Sequence, residues 1–387
     1  MYKSGSTRLI RNLNKNHVLN LVRLSNSVTA REISNLTGLQ MSTVLYTLKS
    51  LEQDGFIKNL GFGNTTSLGG KPPVLWGIQN SYGNVIGIEL FSTEIRLVVL
   101  NFSRECLYKN IFPHKRIKNP EELVIKIKNI INTLLSKQIL NKGKILGIGI
   151  GMPGSIDNKN GKILFSYPFG FHKIPLKKML ENEIPFLFEI DNDANAGALG
   201  VKWLQPQFQD KKHILYVSIH QKFSGMGIGY IFNDRIYRGA RNAAGELKLF
   251  ITDAVWLKIL KTITKKEPND KLVIELNQNK DHHNLKSVLK YAEQGSKTGT
   301  YILGEIAKEI SKHLAQLVNL LDPEVIVIGG DICEAEMIIK PVLEEQINYY
   351  LISEITKNIP FSFSEFREFS GAMGATALIY SKVFGSD

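Results

Sequence analysis

The stretch TAREISNLTGLQMSTVLYTLKSL, residues 29–51, decides the fold of the N-terminal part of the chain. Thr29 with Glu32 three positions later forms a capping box, the start signal of a helix, and Gly38 supplies a tight bend. The pattern predicts a helix-turn-helix, because apolar residues recur at helical spacing on both sides of the bend. An ordinary helical hairpin would give the same pattern. The apolar positions are Ala30, Ile33 and Leu36 in the first helix and Val44, Leu48 and Leu51 in the second.

The second predicted helix keeps a polar face of the kind that contacts base edges and phosphates in DNA-reading proteins. After it, apolar runs at residues 56–57 and 74–78 enclose a segment rich in Gly, Asn, Thr and Ser. That arrangement predicts a strand, a loop and a strand, which is the wing of a winged helix-turn-helix. The candidate DNA contacts are Arg31, Gln40, Met41, Ser42, Thr43, Tyr46, Lys49 and, beside the wing, Lys71.

Positive charge is concentrated in the same region. Residues 1–80 contain nine Lys or Arg against three Asp or Glu, a net charge of +6, whereas all 387 residues together carry +12. A basic excess beside a candidate recognition helix is typical of a polyanion-binding domain, although a solvated basic face would have the same composition. We therefore predict a DNA-binding winged helix-turn-helix domain over residues 1–80.

Composition narrows the class of protein. The hydrophobic content of 43% and the charged content of 22% are typical of globular domains. Cys106 and Cys333 are the only cysteines, which excludes a disulfide scaffold and a zinc site made of several thiolates. The sequence has neither a signal-peptide pattern nor a run of 18 apolar residues, so we expect a cytoplasmic protein without a membrane partner.

From Asn84 onward, apolar strand-like runs alternate with longer helical segments, a pattern that indicates an α/β fold. Residues 85–90 and 95–101 predict a pair of strands around a short turn, and residues 214–220 and 225–232 repeat this layout. The repeat predicts a second domain, residues 81–387, made of two related lobes that flank a cleft.

Two further predicted strands, residues 144–151 and 185–190, lead into polar loops. The first loop begins with Met152, Pro153 and Gly154, and the second is the segment DNDAN at residues 191–195. Open α/β sheets bind their ligands beyond such strand ends, which makes these loops candidate ligand contacts. The second loop also has the composition of a helix N-cap.

Four segments resemble, in order and spacing, the motifs of the ROK family, which contains repressors and sugar kinases. They are GIGIGMPGSIDNKNGKI (147–163), IDNDANAGALG (190–200), RIYRGARNAAGEL (235–247) and LLDPEVIVIGGDI (320–332). A winged helix-turn-helix followed by GGKPP and this body resembles the transcriptional branch of the family. The resemblance implies a duplicated actin-like ATPase (ribonuclease H-like) sugar-kinase fold with two lobes and a cleft.

The resemblance also implies a set of sugar contacts. The pair Asn192 and Asp193 matches the family's sugar-binding pair, in which the Asp is the catalytic base of the kinases. Glu246 matches another sugar-contacting carboxylate, with a solvated carboxylate as the alternative, and the turn Pro153-Gly154 matches a loop beside the sugar. These residue types suit the task, because carboxylates and amides hydrogen-bond sugar hydroxyls.

The residues at the family's phosphate-binding and zinc-binding positions depart from the family pattern. The family's Asp-x-Gly-Gly-Thr is replaced by Glu89-Leu90-Phe91-Ser92-Thr93, and the second phosphate loop begins with Phe223. Glycine lets backbone N–H groups approach phosphate closely, so phenylalanine obstructs the approach. Leu249 stands where the family has a zinc-binding His, and His282 and His283 alone cannot supply a zinc site. We therefore expect no zinc, no ATP and no catalytic residue, with Asp193 a vestigial base.

The leading hypothesis is a sugar-responsive transcriptional regulator, a repressor of carbohydrate-utilisation genes. Its partners would be double-stranded operator DNA and a small carbohydrate effector, and it would act as a homodimer or a dimer of dimers. The first alternative is an ATP-dependent sugar kinase with a DNA-binding appendage. The second is a regulator whose cleft is structural or binds a partner protein.

Overall fold

The computed structural model describes residues 7–25, 27–64, 71–136, 140, 144–220, 225–248, 251–278 and 284–384. The N-terminal module is a three-helix unit with a small antiparallel sheet in the order β1-β3-β2. Its elements are α1 (Thr7–Leu24), β1 (Val28–Thr29), α2 (Ala30–Thr37), α3 (Met41–Gln53), β2 (Ile57–Phe62) and β3 (Val74–Ile78).

The predicted helix-turn-helix is confirmed, with one exception in the apolar stripe of α2. The Thr29 side chain accepts a hydrogen bond from the Glu32 N–H, and the Glu32 carboxylate accepts one from the Thr29 N–H. Gly38 ends α2 in the left-handed region, at φ +68°, where residues with a Cβ are disfavoured. Ile33 is fully buried, but Leu36 is 67% exposed, so the predicted apolar stripe of α2 is wrong at that position. The last turn of α2 lies outside the packed face.

The first lobe is built on a five-stranded mixed sheet in the order β6-β5-β4-β7-β11. Strands β4, β5 and β6 are antiparallel neighbours, whereas β4, β7 and β11 run parallel. A small sheet, β8-β9-β10, covers one end. The elements are β4 (Gly83–Leu90), β5 (Glu94–Asn101), β6 (Cys106–Pro113), α4 (Pro120–Ser136), β7 (Lys144–Met152), β8 (Ser155–Asp157), β9 (Lys162–Ser166), β10 (Phe171–Ile174), α5 (Leu176–Glu183), β11 (Phe188–Asn192) and α6 (Asp193–Leu204).

The second lobe repeats this topology. Its sheet has the order β14-β13-β12-β16-β17, again with three antiparallel strands followed by two parallel additions, and β15 pairs with β13. The predicted duplicated α/β fold is therefore confirmed. The elements are β12 (Ile214–Ser218), β13 (Gly225–Phe232), β14 (Arg235–Ile236), β15 (Glu246–Lys248), α7 (Asp253–Lys266), α8 (Lys271–Gln278), α9 (Leu285–Glu293), α10 (Lys297–Leu321), β16 (Val325–Gly329), α11 (Glu336–Ile347), β17 (Phe361–Phe363) and α12 (Ser370–Phe384).

Helices α6 and α12 lie between the two sheets and cross in close backbone contact. A Cβ at Gly149 of β7 would lie 1.7 Å from the Ala375 carbonyl oxygen, so α12 rests directly on the first sheet. A Cβ at Gly229 of β13 would lie 2.2 Å from the Ala194 carbonyl oxygen, so α6 rests on the second. Glycine in these strands is what permits the lobes to approach through the two helices.

The N-terminal module shares a hydrophobic core with the first lobe. Val18 and Val22 of α1 and Leu48 of α3 belong to the same buried cluster as Phe102 and the α12 residue Phe384. Residue 80 as a domain boundary stays a prediction. Within the described ranges, no helix is both long and apolar enough to cross a bilayer.

Candidate functional site

The recognition face of α3 is open to solvent. Tyr46 is 56% exposed and Met41 40% exposed, Thr43 is half-buried, and Val44, Leu48 and Leu51 on the opposite side are fully buried. Among the other predicted DNA contacts, the exposed residues are Arg31, Gln40, Ser42, Lys49 and Lys71. Their contact with DNA stays a prediction, and the wing residues 65–70 lie outside the described residues.

An arginine from α1 joins this face, and the sequence interpretation missed it. The Arg11 guanidinium donates a hydrogen bond to the Tyr46 hydroxyl and lies 5.0 Å from the centre of its ring. The available signal was its place among the basic residues of the N-terminal module. Arg11 therefore adds a fixed positive charge beside the recognition helix.

The predicted sugar contacts come together where β7 and β11 end side by side. Asn192 caps α6, since its Oδ1 accepts hydrogen bonds from the N–H groups of Ala194 and Asn195 at 2.9 and 3.1 Å. Its Nδ2 donates to the Gly154 carbonyl at 3.1 Å and lies 3.4 Å from Glu246 Oε1. The N-cap interpretation is thus correct for Asn192, and the same side chain connects both lobes at the cleft.

Asp193 and Glu246 are two acidic groups with raised pKa values on either side of that amide. Burial, followed by the negative charge of Glu89 and a smaller effect of Glu246, raises the pKa of Asp193 to about 7. Burial also raises the pKa of the Glu246 carboxyl. Near neutral pH, Asp193 therefore exists partly as a carboxylic acid, which can donate as well as accept a hydrogen bond.

A partly buried ion pair lies beside these groups. Arg238 donates from Nε and Nη2 to Asp191 Oδ2, at 3.0 and 2.6 Å. Asp191 is only 2% exposed, and its other oxygen accepts from the Asn192 N–H at 2.8 Å. Arg238 thereby fixes the carboxylate that orients the start of α6, a role that the sequence interpretation did not assign.

The opposite half of the cleft contains an ionic network that spans the lobes. Arg96 of β5 binds Asp331 of the second lobe with two hydrogen bonds, Nη1–Oδ1 at 2.7 Å and Nη2–Oδ2 at 3.3 Å. It also donates to Glu94 Oε1 at 2.8 Å and to the Glu368 carbonyl at 2.6 Å. Arg96 is 1% exposed, and its acidic partners raise its pKa despite the burial.

Phe91 and His220 complete this network. The Arg96 guanidinium carbon lies 4.6 Å from the Phe91 ring centre, and the His220 ring meets Phe91 edge-on at 4.8 Å. His220 Nε2 is 3.3 Å from Glu89 Oε1. Burial alone lowers the pKa of His220, but the carboxylates of Glu89 and Asp331 have the larger effect and raise it. The side chain of Phe91 therefore lies between Arg96 of the first lobe and His220 of the second, and its obstruction of a phosphate stays a prediction.

Several predicted features lie outside the described residues: the loop at Phe223, the replaced zinc ligand Leu249, and the pair His282 and His283. Among the side chains that the structure does describe, no group of three or more His, Cys, Asp or Glu residues is arranged to hold a metal ion.

A sequence model of the ROK family matches residues 85–248 and 269–382. The chain belongs to the ROK family. The chain is 29% identical to a putative xylose repressor from Caldicellulosiruptor sp. (strain Rt8B.4), over 84% of this chain and 85% of that protein. It is 22% identical to the DNA-binding transcriptional dual regulator NagC of Escherichia coli (strain K12), covering 97% and 94%.

Solved structures of the family agree with this fold. A ROK family transcriptional regulator, described as a homologue of the E. coli MLC protein, matches with a TM-score of 0.76 and 18% identity, over 97% of each chain. A ROK family glucokinase from Streptomyces griseus, in complex with glucose and AMPPNP, matches with a TM-score of 0.62 and 21% identity. The glucokinase covers 76% of this chain and is itself 99% covered.

Proposed function

We propose that this chain is a DNA-binding transcriptional regulator that represses carbohydrate-utilisation genes and responds to a sugar in the cleft. The observation that supports the proposal is that one molecule contains both a candidate DNA-binding helix and a candidate sugar-binding cleft. An exposed polar recognition helix, α3, is packed against a two-lobed body whose cleft brings Asn192, Asp193 and Glu246 together. Relatives that extend over nearly the whole chain are named as repressors of xylose or N-acetylglucosamine genes.

The chemistry of the cleft supports a polyhydroxyl effector. A partly protonated Asp193 donates to one sugar hydroxyl, and the Glu246 carboxyl accepts from another. The turn at Pro153 and Gly154 lies beside these groups, because the Gly154 carbonyl accepts a hydrogen bond from the Asn192 side-chain amide. Binding of a sugar here competes with the Asn192–Glu246 contact and so acts on both lobes.

A homodimer follows from the geometry of DNA reading. One recognition helix covers half of an operator site, and two helices must lie about 34–36 Å apart to reach successive major grooves. We therefore propose that two copies bind one pseudo-palindromic operator, each with Gln40, Ser42, Thr43 and Tyr46 near base edges. We assign the phosphate contacts to Arg11, Arg31, Lys49 and Lys71.

An ATP-dependent sugar kinase is the second candidate, and Asp193 is the observation in its favour. Its raised pKa, about 7, is that of a general base operating near neutrality. Against it, Phe91 stands in the segment that resembles the first phosphate loop of the family kinases, and its ring lies 4.6 Å from the Arg96 guanidinium carbon. A coupled assay of ATP consumption across hexoses, pentoses and amino sugars decides between the two. Turnover that Asp193→Asn abolishes would favour the kinase.

The test of DNA binding uses the full chain and the DNA upstream of its own gene. We expect sequence-selective binding whose logarithm of affinity falls linearly with the logarithm of salt concentration. A scrambled duplex of the same composition is the control. Equal affinity for both duplexes, or no binding, would contradict the proposed function.

A further inference from the structure

Helix α6 connects the sugar-contacting end of the cleft to the DNA-binding module. It begins at Asp193 and ends at Leu204, a span of roughly 18 Å at 1.5 Å per residue. At its far end the Trp203 carbonyl accepts a hydrogen bond from Arg23 of α1 at 3.3 Å. Helix α6 therefore contacts both the cleft and the N-terminal module.

Helix α12 makes the same connection from the other half of the cleft. At its beginning, a Cβ on Gly371 would lie 2.2 Å from the Glu89 carboxyl carbon, so the helix starts against the ionic network. At its end, the Phe384 carbonyl accepts a hydrogen bond from the Asn20 amide of α1 at 3.3 Å. Both helices thus run from the cleft to α1.

The two helices are fixed to each other. A Cβ on Gly374 of α12 would lie 2.2 Å from the Ala196 carbonyl oxygen, and a Cβ on Gly200 of α6 would lie 2.5 Å from the Gly374 Cα. Such backbone contact leaves no space for one helix to slide without displacing the other. A displacement at Asp193 is therefore carried by the pair rather than absorbed between its members.

The far ends of the pair meet α1 through two neighbouring arginines. Arg23 and Arg104 both donate to the Trp203 carbonyl, at 3.3 and 3.1 Å, and Arg104 also donates to the Arg23 carbonyl at 3.1 Å. The Arg23 guanidinium lies 4.3 Å from the Trp203 ring centre and 5.4 Å from that of Phe384. The carbonyls that accept from this arginine pair belong to the last turns of α6 and α1, which are the negative ends of those helix dipoles.

This contact is electrostatically costly. Burial and the like charge of Arg104 lower the pKa of Arg23 to about 9, and burial lowers the pKa of Arg104. Arg104 also adopts φ +73°, a left-handed conformation that favours glycine. Buried like charges and a strained backbone oppose the stability of this contact, and a contact of this kind can exchange for another arrangement of similar free energy.

We propose that the α6–α12 pair transmits sugar occupancy to the recognition helix, and that Arg23 and Arg104 are the joint between the pair and α1. The inference rests on the proposed function and deepens it by naming the route of regulation. A sugar at Asp193 shifts the pair, the joint reorients α1, and α1 moves α3 because Val18, Val22 and Leu48 share one core. The coupling is reciprocal, so operator binding also changes sugar affinity.

The test measures operator affinity by fluorescence anisotropy with and without sugar, using D-xylose, D-glucose and N-acetylglucosamine as probes. Arg23→Met keeps the aliphatic contact with Trp203 and Phe384 but removes the charge and the hydrogen bond. Arg104→Gly removes the second guanidinium at a φ that glycine adopts freely. Arg116→Met is the matched control, because Arg116 is an exposed arginine that donates to the Pro168 carbonyl away from the joint.

We expect the wild type and Arg116→Met to show a sugar-dependent change in operator affinity of about 5- to 150-fold. In Arg23→Met and Arg104→Gly, the change should fall below about twofold while sugar affinity and sugar-free operator affinity are retained. If either variant folds and keeps the full sugar-dependent change in operator affinity, the proposed role of Arg23 and Arg104 is wrong. A wild type without any change would overturn the proposed sugar response, and with it this inference.

Hydrogen exchange gives a second measurement that needs no DNA and no variant. Sugar should alter exchange of amides in α6 and in the last turn of α1 of the wild type. If sugar binds and protects only residues of the cleft, the transmission route is wrong even where both variants fail to fold.

Discussion

Arg96 and Asp331 lie 235 residues apart in the chain and form a two-hydrogen-bond ion pair across the cleft, with Nη1–Oδ1 at 2.7 Å. One residue comes from each lobe, and both side chains are buried. The pair therefore links β5 of the first lobe to the segment that follows β16 in the second lobe. The resting arrangement of the two lobes therefore depends on the chain's own charges.

Removing Arg96 should destabilise the protein strongly. Arg96→Met leaves the Asp331 and Glu94 carboxylates without their shared cation in a buried position, which costs about 3–5 kcal/mol in the free energy of unfolding. Denaturant unfolding followed by circular dichroism measures this loss. Lys128→Met is the control, since its ion pair with Glu183 is exposed and contributes about 0–1 kcal/mol. Equal losses in both variants would contradict the role of the interlobe pair.

The second prediction concerns pH. Because the pKa of Asp193 is raised to about 7 in the folded state, the folded protein holds this proton more tightly than the unfolded chain. Its contribution to stability is complete below about pH 4 and is lost as pH rises through about 7. The free energy of unfolding of Asp193→Asn should consequently decline less over this interval than that of the wild type.

Infrared spectroscopy tests the same proton directly. The difference spectrum between wild type and Asp193→Asn should contain a carboxylic acid band that titrates with a midpoint near pH 7. A band that has already disappeared by about pH 5 would mean an ordinary Asp193, since an unperturbed aspartate titrates near 3.9.

The third prediction distinguishes residues of α3 that contact DNA phosphates from residues that contact base edges. Lys49→Ala should weaken binding to operator and scrambled DNA alike and reduce the salt slope by about one. Gln40→Ala should weaken operator binding selectively, by about 1–3 kcal/mol if its amide reads a base. Lys178→Ala is the control, because Lys178 is an exposed lysine on α5, in the body of the protein. If Lys49→Ala and Lys178→Ala change DNA affinity equally, Lys49 and its face of α3 do not contact the DNA.

Local patterns in the sequence were sufficient to predict most of the fold. The Thr29–Glu32 capping box and Gly38 fixed two helix ends, because each depends on hydrogen bonds within a few residues. The repeated strand pairs predicted the two lobes, since alternation of strands and helices is visible along the chain. The prediction for Leu36 was wrong, since it is 67% exposed, because helical periodicity gives the face of a residue but not whether another element covers it.

The candidate site was also predicted only in part. Asn192, Asp193, Gly154 and Glu246 were identified from motifs, and the structure brings them together. The Arg96–Asp331 pair was missed, because no local pattern encodes a contact over 235 residues. A charged residue inside the apolar strand β5 was the only signal, and it indicates a buried partner without naming it.

The most direct test of a sugar-responsive regulator is operator affinity of the full chain with and without sugar, in the wild type and in Glu246→Gln. We expect sugar to weaken wild-type operator binding by about 5- to 150-fold, and Glu246→Gln to need more sugar for the same effect. Calorimetry with the same sugars should show weaker binding to the variant. Operator binding that no sugar alters, together with no detectable sugar binding to the wild type, would contradict the proposed regulation.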